Sequence, residues 1–108
     1  MMKMLIRMDS NKINIEQRFN LNGIYDILNK MFLNLGLICM ENGAESLVYR
    51  DNGNVKDYGS FGRIVNTLKK QSWFMENVTE WRLYDSDESD DPEEFNEEDL
   101  LTRYQRRI

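Results

Sequence analysis

Apolar and polar positions alternate from Met4 to Asp9, with Met4, Ile6 and Met8 on one side and Leu5, Arg7 and Asp9 on the other. A period of two marks a strand, here with one wholly apolar face and one mixed face. Ser10 to Asn20 is polar and reads as a loop, tacked down by Ile13, Ile15 and Phe19. At Leu21 the period changes. Leu21, Tyr25, Leu28, Phe32 and Leu35 recur at spacings of three and four, and Ile24, Ile27 and Met31 widen the stripe, which predicts a core-facing helix over 21–35. Asn20 or Asn22 is placed to cap it, and Gly36 to end it.

Leu37–Met40 and Ser46–Arg50 are short apolar runs around Asn42-Gly43, a dipeptide that favours a tight hairpin. Asp51-Asn52-Gly53-Asn54 marks a second turn. A second helix follows, with Asp57 or Ser60 as its cap and Phe61, Ile64, Val65 and Leu68 as its buried face. Lys69 and Lys70 close its last turn, where cations complement the helix dipole. After a short turn comes a strand over Val78–Tyr84, with Thr79, Trp81 and Leu83 on one face and Val78, Glu80, Arg82 and Tyr84 on the other. Strand, helix, strand, strand, helix, strand predicts an α+β chain. Two helices then cover one face of a four-stranded antiparallel sheet, the ferredoxin-like arrangement.

Charge divides the chain at Tyr84. Residues 1–84 carry eleven basic and nine acidic side chains, whereas 85–108 carry three basic and ten acidic. The formal net charge of -5 therefore belongs to the C-terminal segment. The expected organisation is a domain over 1–84, then an acidic linker and a C-terminal helix over 85–108. Asp85 to Glu94, with the sole proline Pro92, reads as a solvated flexible linker. Asn96 to Asp99 supplies a cap and first-turn acids, Arg103, Arg106 and Arg107 supply last-turn bases, and Leu100, Leu101, Tyr104 and Ile108 form an apolar side. That helix is expected to dock on its own domain or on a partner subunit.

Composition narrows the chemistry. No run approaches the roughly 18 apolar residues of a membrane span. The N-terminal Met1–Ser10 is too quickly polar for a signal peptide, and the lone Cys39 reads as a structural thiol, so a reducing cytoplasm is expected. The 108 residues include no His, which excludes His-based ribonucleases, Ser-His triads and His-ligated zinc. Carboxylates around a hard cation such as magnesium, or Lys, Tyr and Ser in acid–base roles, remain.

The run Val65-Asn66-Thr67-Leu68-Lys69-Lys70, with Trp73 just after it and the strand Val78–Tyr84, resembles the virulence-associated protein D family of small ribonucleases. The strand ending in Asp9 and the Ser46-Leu47-Val48-Tyr49 strand add to the likeness, which covers Met4 to Tyr84. Val48 interrupts the family's Ser-Leu-Tyr pattern, and the dense acidic run after Tyr84 departs from it. The resemblance implies a ferredoxin-like fold, a homodimer and cleavage of RNA, in a toxin–antitoxin or mobile-element setting with an antitoxin or other protein partner. In the related CRISPR adaptation endonucleases an Asp at the end of the first strand is the catalytic or metal-binding carboxylate, and Asp9 stands there.

Read from the residues alone, Asp9 either binds magnesium and acts on a phosphodiester, or caps the segment after it. Candidate RNA contacts are Arg7, Lys12, Arg50, Lys69, Lys70 and Arg82 for phosphates, and Tyr49 or Tyr84 for stacking on a base. Ser46 joins them by the family likeness. An apolar sheet face left open by only two helices predicts a homodimer. Three functions stay open: an endoribonuclease, a non-catalytic scaffold of the same fold, and an acidic inhibitor imitating a phosphate backbone.

Overall fold

Alternation along the first strand becomes the two faces of a sheet. The computed structural model describes residues 2–16, 20–43, 46–85 and 96–105. In chain order the elements are β1 (Met2–Met8), α1 (Ser10–Glu16), α2 (Leu21–Asn34), β2 (Ile38–Asn42) and β3 (Ser46–Arg50). They continue with α3 (Lys56–Leu68), α4 (Ser72–Met75), β4 (Val78–Asp85), β5 (Asn96–Asp99) and α5 (Leu100–Gln105). The chain is α+β. Its sheet is antiparallel, with strand order β2-β3-β1-β4-β5.

On one sheet face Met4, Ile6 and Met8 lie beside Leu47 and Tyr49 of β3 and beside Val78, Trp81 and Leu83 of β4. The helices α2 and α3 cover this face, giving Ile24, Leu28 and Phe32 from one and Phe61, Ile64, Val65 and Leu68 from the other to a single core. Phe32 stacks on Tyr49 with ring centroids 4.0 Å apart and meets Phe61 edge-on. Trp81 is fully buried, touches Phe74 and Tyr104, and donates its indole N–H to Met4 Sδ at 3.3 Å.

The expected helix over 21–35 ends one residue earlier, with Leu35 at its C-cap and Gly36 at φ +79°. Gly36 has no Cβ to resist this left-handed backbone. Asn20 is the cap, accepting from Gly23 N at 3.3 Å. The Asn42-Gly43 hairpin is present, and Gly43 N donates to Ser46 O at 3.0 Å.

Several expectations are corrected. The sheet has five strands, not four. Ser10–Asn20 is not a loop: 10–16 is the helix α1, because the Asp9 carboxylate accepts from Lys12 N at 3.0 Å and satisfies a first-turn donor. Ile13 is buried beneath it, but Ile15 is 80% exposed and tacks nothing down; Phe19 lies outside the described residues. The turn before β4 contains the short helix α4, which buries Phe74. The faces of β4 are not a strict alternation. Arg7 pairs with Glu80 and Met8 with Val78, so Thr79 is an extra residue and Val78 rotates to the Trp81 side.

Asn96 to Asp99 is not the start of a helix but the strand β5, paired to the outer edge of β4. Acids that suit a helix N-terminus also suit Arg82, which holds Glu97 and Asp99 from the adjacent strand. Asp99 serves both elements, since its Oδ1 accepts from Thr102 N at 3.1 Å and caps α5. The backbone N–H of Thr102 is also the main reason its carboxyl lies below the usual range. Leu100 is buried in the same core as β1, so α5 docks on its own domain. Most of the expected linker, 86–95, lies outside the described residues. No helix is long and apolar enough among the described residues to cross a membrane.

Candidate functional site

The sheet face away from α2 and α3 is the surface on which the expected contacts converge. Strand register sets its rows. Ile38, Arg50, Lys3, Tyr84 and Glu97 form one, Glu41, Val48, Leu5, Arg82 and Asp99 the next, and Ser46, Arg7 and Glu80 the third. Leu5, Val48 and Tyr84 are half-buried there, and every buried hydrophobic side chain of the described helices belongs to the opposite core.

Arg7, Arg50 and Arg82 thus share a face, and the charge of Arg7 and Arg82 is already matched. Arg7 Nε lies 3.4 Å from Glu80, and Arg82 bonds Glu80 at 2.8 Å, Glu97, and Asp99 at 3.9 Å. These carboxylates hold the Arg82 guanidinium more firmly protonated still, Glu80 first. Arg50 donates to Asp51 O at 3.0 Å. Lys3, which the sequence reading passed over, lies 5.3 Å from the centroid of the Tyr84 ring. Glu80, Glu97 and Asp99 were missed too; only strand register brings them to this face.

Other expected contacts lie elsewhere. Tyr49 does not stack on a base: it is 0% exposed, packed on Phe32, and its hydroxyl donates to Asn29 Oδ1 at 2.5 Å. Its ring follows the core face because Tyr49 pairs with Met4. Ser46 is on the open face but buried, and its hydroxyl donates to Glu41 Oε1 at 2.8 Å. Lys12 spends its ammonium on Glu76 O. Lys69 forms the C-cap of α3 and sits 5.3 Å from the Tyr104 ring centroid, remote from the open face, while Lys70 is exposed beyond it.

Burial, reinforced by the neighbouring Cys39, pushes the Tyr49 phenol up. A raised folded pKa means the unfolded chain ionises first, so Tyr49's contribution is complete below about pH 10 and is lost as pH rises beyond it. In alkaline melts the melting temperature of the wild type is expected to fall more steeply than that of Tyr49→Phe; parallel curves would contradict this.

Asp9 ends the central strand β1. Its amide donates to Asn77 O at 2.6 Å and its carboxylate, half-buried, caps α1 through Oδ1. It does not project from the mixed sheet face as strict alternation requires, because the chain leaves the strand there to enter α1. Among the described residues no three His, Cys, Asp or Glu side chains converge to hold a metal ion.

Two cations outside the expected set, Lys56 and Arg63, line a cleft of about 350 Å³ with Asn34, Leu35, Gly59 and Ser60. Their spacing of seven residues in one helix was the available signal. No family model, curated protein or solved structure matches the chain.

Proposed function

We propose that this protein is a homodimeric endoribonuclease with a ferredoxin-like core over 2–85, in which Asp9 acts as general base at the phosphodiester. The position of Asp9 carries the reading. It stands at the exit of the central strand, at the head of α1, with its carboxylate half-exposed. A carboxylate at that place would activate a water by taking its proton as it attacks phosphorus. The order β2-β3-β1-β4 with two helices on one face supports the ferredoxin-like core, to which β5 adds a fifth strand. The half-buried Leu5, Val48 and Tyr84, ringed by charges of both signs, support a twofold contact between two copies. A cytoplasmic setting, with an antitoxin or other protein partner, belongs to the same reading.

The test is RNA cleavage by wild type and Asp9→Asn, each checked for folding and dimerisation, with magnesium, manganese or chelator. Asparagine still supplies an N-cap oxygen, so α1 is kept while the base is lost. Cleavage is expected to fall by about 10²-fold or more. Equal cleavage by both, or none by wild type under any of these conditions, sinks the catalytic reading.

A non-catalytic dimeric scaffold is the second reading. The observation in its favour is that Asp9 Oδ1 is engaged in a cap with no metal-ligand cluster among the described residues.

A further inference from the structure

The two surfaces that bear cations differ in one respect. On the open sheet face Arg7 and Arg82 are neutralised by Glu80, Glu97 and Asp99. Lys56 and Arg63 on the outer face of α3 are exposed, as is Lys70 just past its C-cap, and among the described residues none has a carboxylate within ion-pair distance. Lys56 and Arg63 are seven residues apart, two turns of helix, so they stand about 10 Å apart along one line, and Lys70 follows seven residues later in the chain. The sole acid of α3, Asp57, is fully buried and points away from that line, toward Asn52 and Asn54.

Between the cations the helix presents Gly59, Gly62, Asn66 and Thr67, all exposed. A Cβ at Gly59 or Gly62 would meet nothing within 4 Å, so neither glycine is required by packing. Glycine inside a helix is less favourable than alanine. The two glycines leave the helix backbone bare where an extended strand can lie close to it. Asn34 and Ser60 add polar atoms along the cleft beside Lys56 and Arg63.

We propose that this stripe of α3, and not the open sheet face, is where the phosphate backbone of single-stranded RNA runs. The inference rests on RNA being the partner of this protein. Spaced cations that lack carboxylate partners among the described residues fit a chain with a regular repeat of negative charge. An acidic peptide would also need apolar anchors, and between the cations the exposed positions are mostly glycine and polar residues, with Tyr58 the one large apolar side chain among them. The net charge of -5 does not oppose this, since much of the negative charge lies after Tyr84.

The probe is a fluorescein-labelled single-stranded RNA of mixed sequence, bound to the full chain carrying Asp9→Asn so that it stays intact. Affinity is read as a function of salt. Adding Lys56→Gln, Arg63→Gln and Lys70→Gln together is expected to weaken binding at least about tenfold and to flatten the log–log salt slope by about 2, three single-strand phosphate contacts' worth. Arg7→Gln with Arg50→Gln is expected to change neither. All these positions are exposed or half-buried, and circular dichroism checks the fold of each variant. An unchanged slope in the triple variant, or no RNA binding at all, overturns the proposal. So does equal binding of a labelled poly-glutamate, which would make the stripe a site for acidic protein segments. If α3-dependent binding persists but wild type cleaves nothing, the catalytic reading falls and this one stands. Cleavage with α3-independent binding does the reverse.

Discussion

Trp81→Ala is expected to remove about 3–5 kcal/mol of stability, the cost of truncating a fully buried aromatic in a core that closes only partly around the gap. Trp81 lies on β4, meets Phe74 nearly edge-on at 4.9 Å and Tyr104 at 5.8 Å, and bonds Met4 across to β1. It therefore joins the sheet, α4 and α5 at one ring. A domain of this size holds about 5–15 kcal/mol in total, and each kcal/mol shifts the melting temperature by about 4–8 °C. Urea denaturation measures the effect, with Trp73→Ala as the comparison. Trp73 is half-buried and bonds only Gln71 through its indole, so its loss is expected to cost far less. Similar midpoints for the two variants would show that Trp81 is not the central contact of the core.

Asp57→Ala is expected to cost about 2–4 kcal/mol, because it removes two hydrogen bonds to a charged acceptor, each worth about 1.5–3 kcal/mol. Asp57 is 0% exposed, and its Oδ2 accepts from Asn52 N at 2.7 Å and Asn54 N at 3.2 Å. Asp51 works on the same turn from the other side, accepting from Met2 N at 2.8 Å and Gly53 N at 3.4 Å. Together the two carboxylates tie the β3–α3 turn to the start of β1. Asp57 Oδ1, however, is buried with no hydrogen-bond partner among the described residues. Asp57→Asn keeps an acceptor for both amides and removes a buried charge, so its expected cost is small. Equilibrium unfolding of both variants tests this account; an Asn variant as unstable as the Ala variant would show that the charge itself is needed.

Asp57 also shows what pattern reading delivers. Its place at the head of a helix is legible as a cap signal, and α3 does begin there. Yet Val55 occupies the N-cap position without a side-chain bond, and Asp57 turns back to order the preceding turn. Periodicity located α2, α3, β1 and the hairpin because each buries one continuous stripe. It missed α1 and α4, which bury one residue each, Ile13 and Phe74, too few to make a period. It assigned 96–99 to a helix because Asn-Glu-Glu-Asp is compatible with a cap, and nothing local reveals that Arg82 waits on a neighbouring strand. The bulge at Thr79 is invisible for the same reason: one inserted residue flips Val78, and only the pairing with Met8 shows it.

The candidate site was legible by residue type and not by location. Arg7, Arg50 and Arg82 do share the open face, but Glu80 beside Arg7, and Glu97 and Asp99 beside Arg82, come from other strands. Tyr49 looked like a stacking residue because aromatic side chains in a strand serve either face. Its register opposite Met4 settles it as core. Lys56 and Arg63 went unremarked because isolated lysines and arginines on a helix are ordinary; their significance lies in lacking carboxylate partners among the described residues.

Glu97, Glu98 and Asp99 make the outermost strand a row of three consecutive carboxylates. An outer strand offers unpaired amides and carbonyls to any other chain, and a run of like charge is a common defence against such sticking. Two molecules meeting edge to edge there would bring three carboxylates from each into one narrow seam. The opposite margin, β2, is irregular: its pairing with β3 slips between Cys39 and Glu41 around the exposed Met40, and it ends in Glu41-Asn42. Both margins therefore discourage open-ended sheet growth. Crowded copies can still meet face to face while staying out of aggregates.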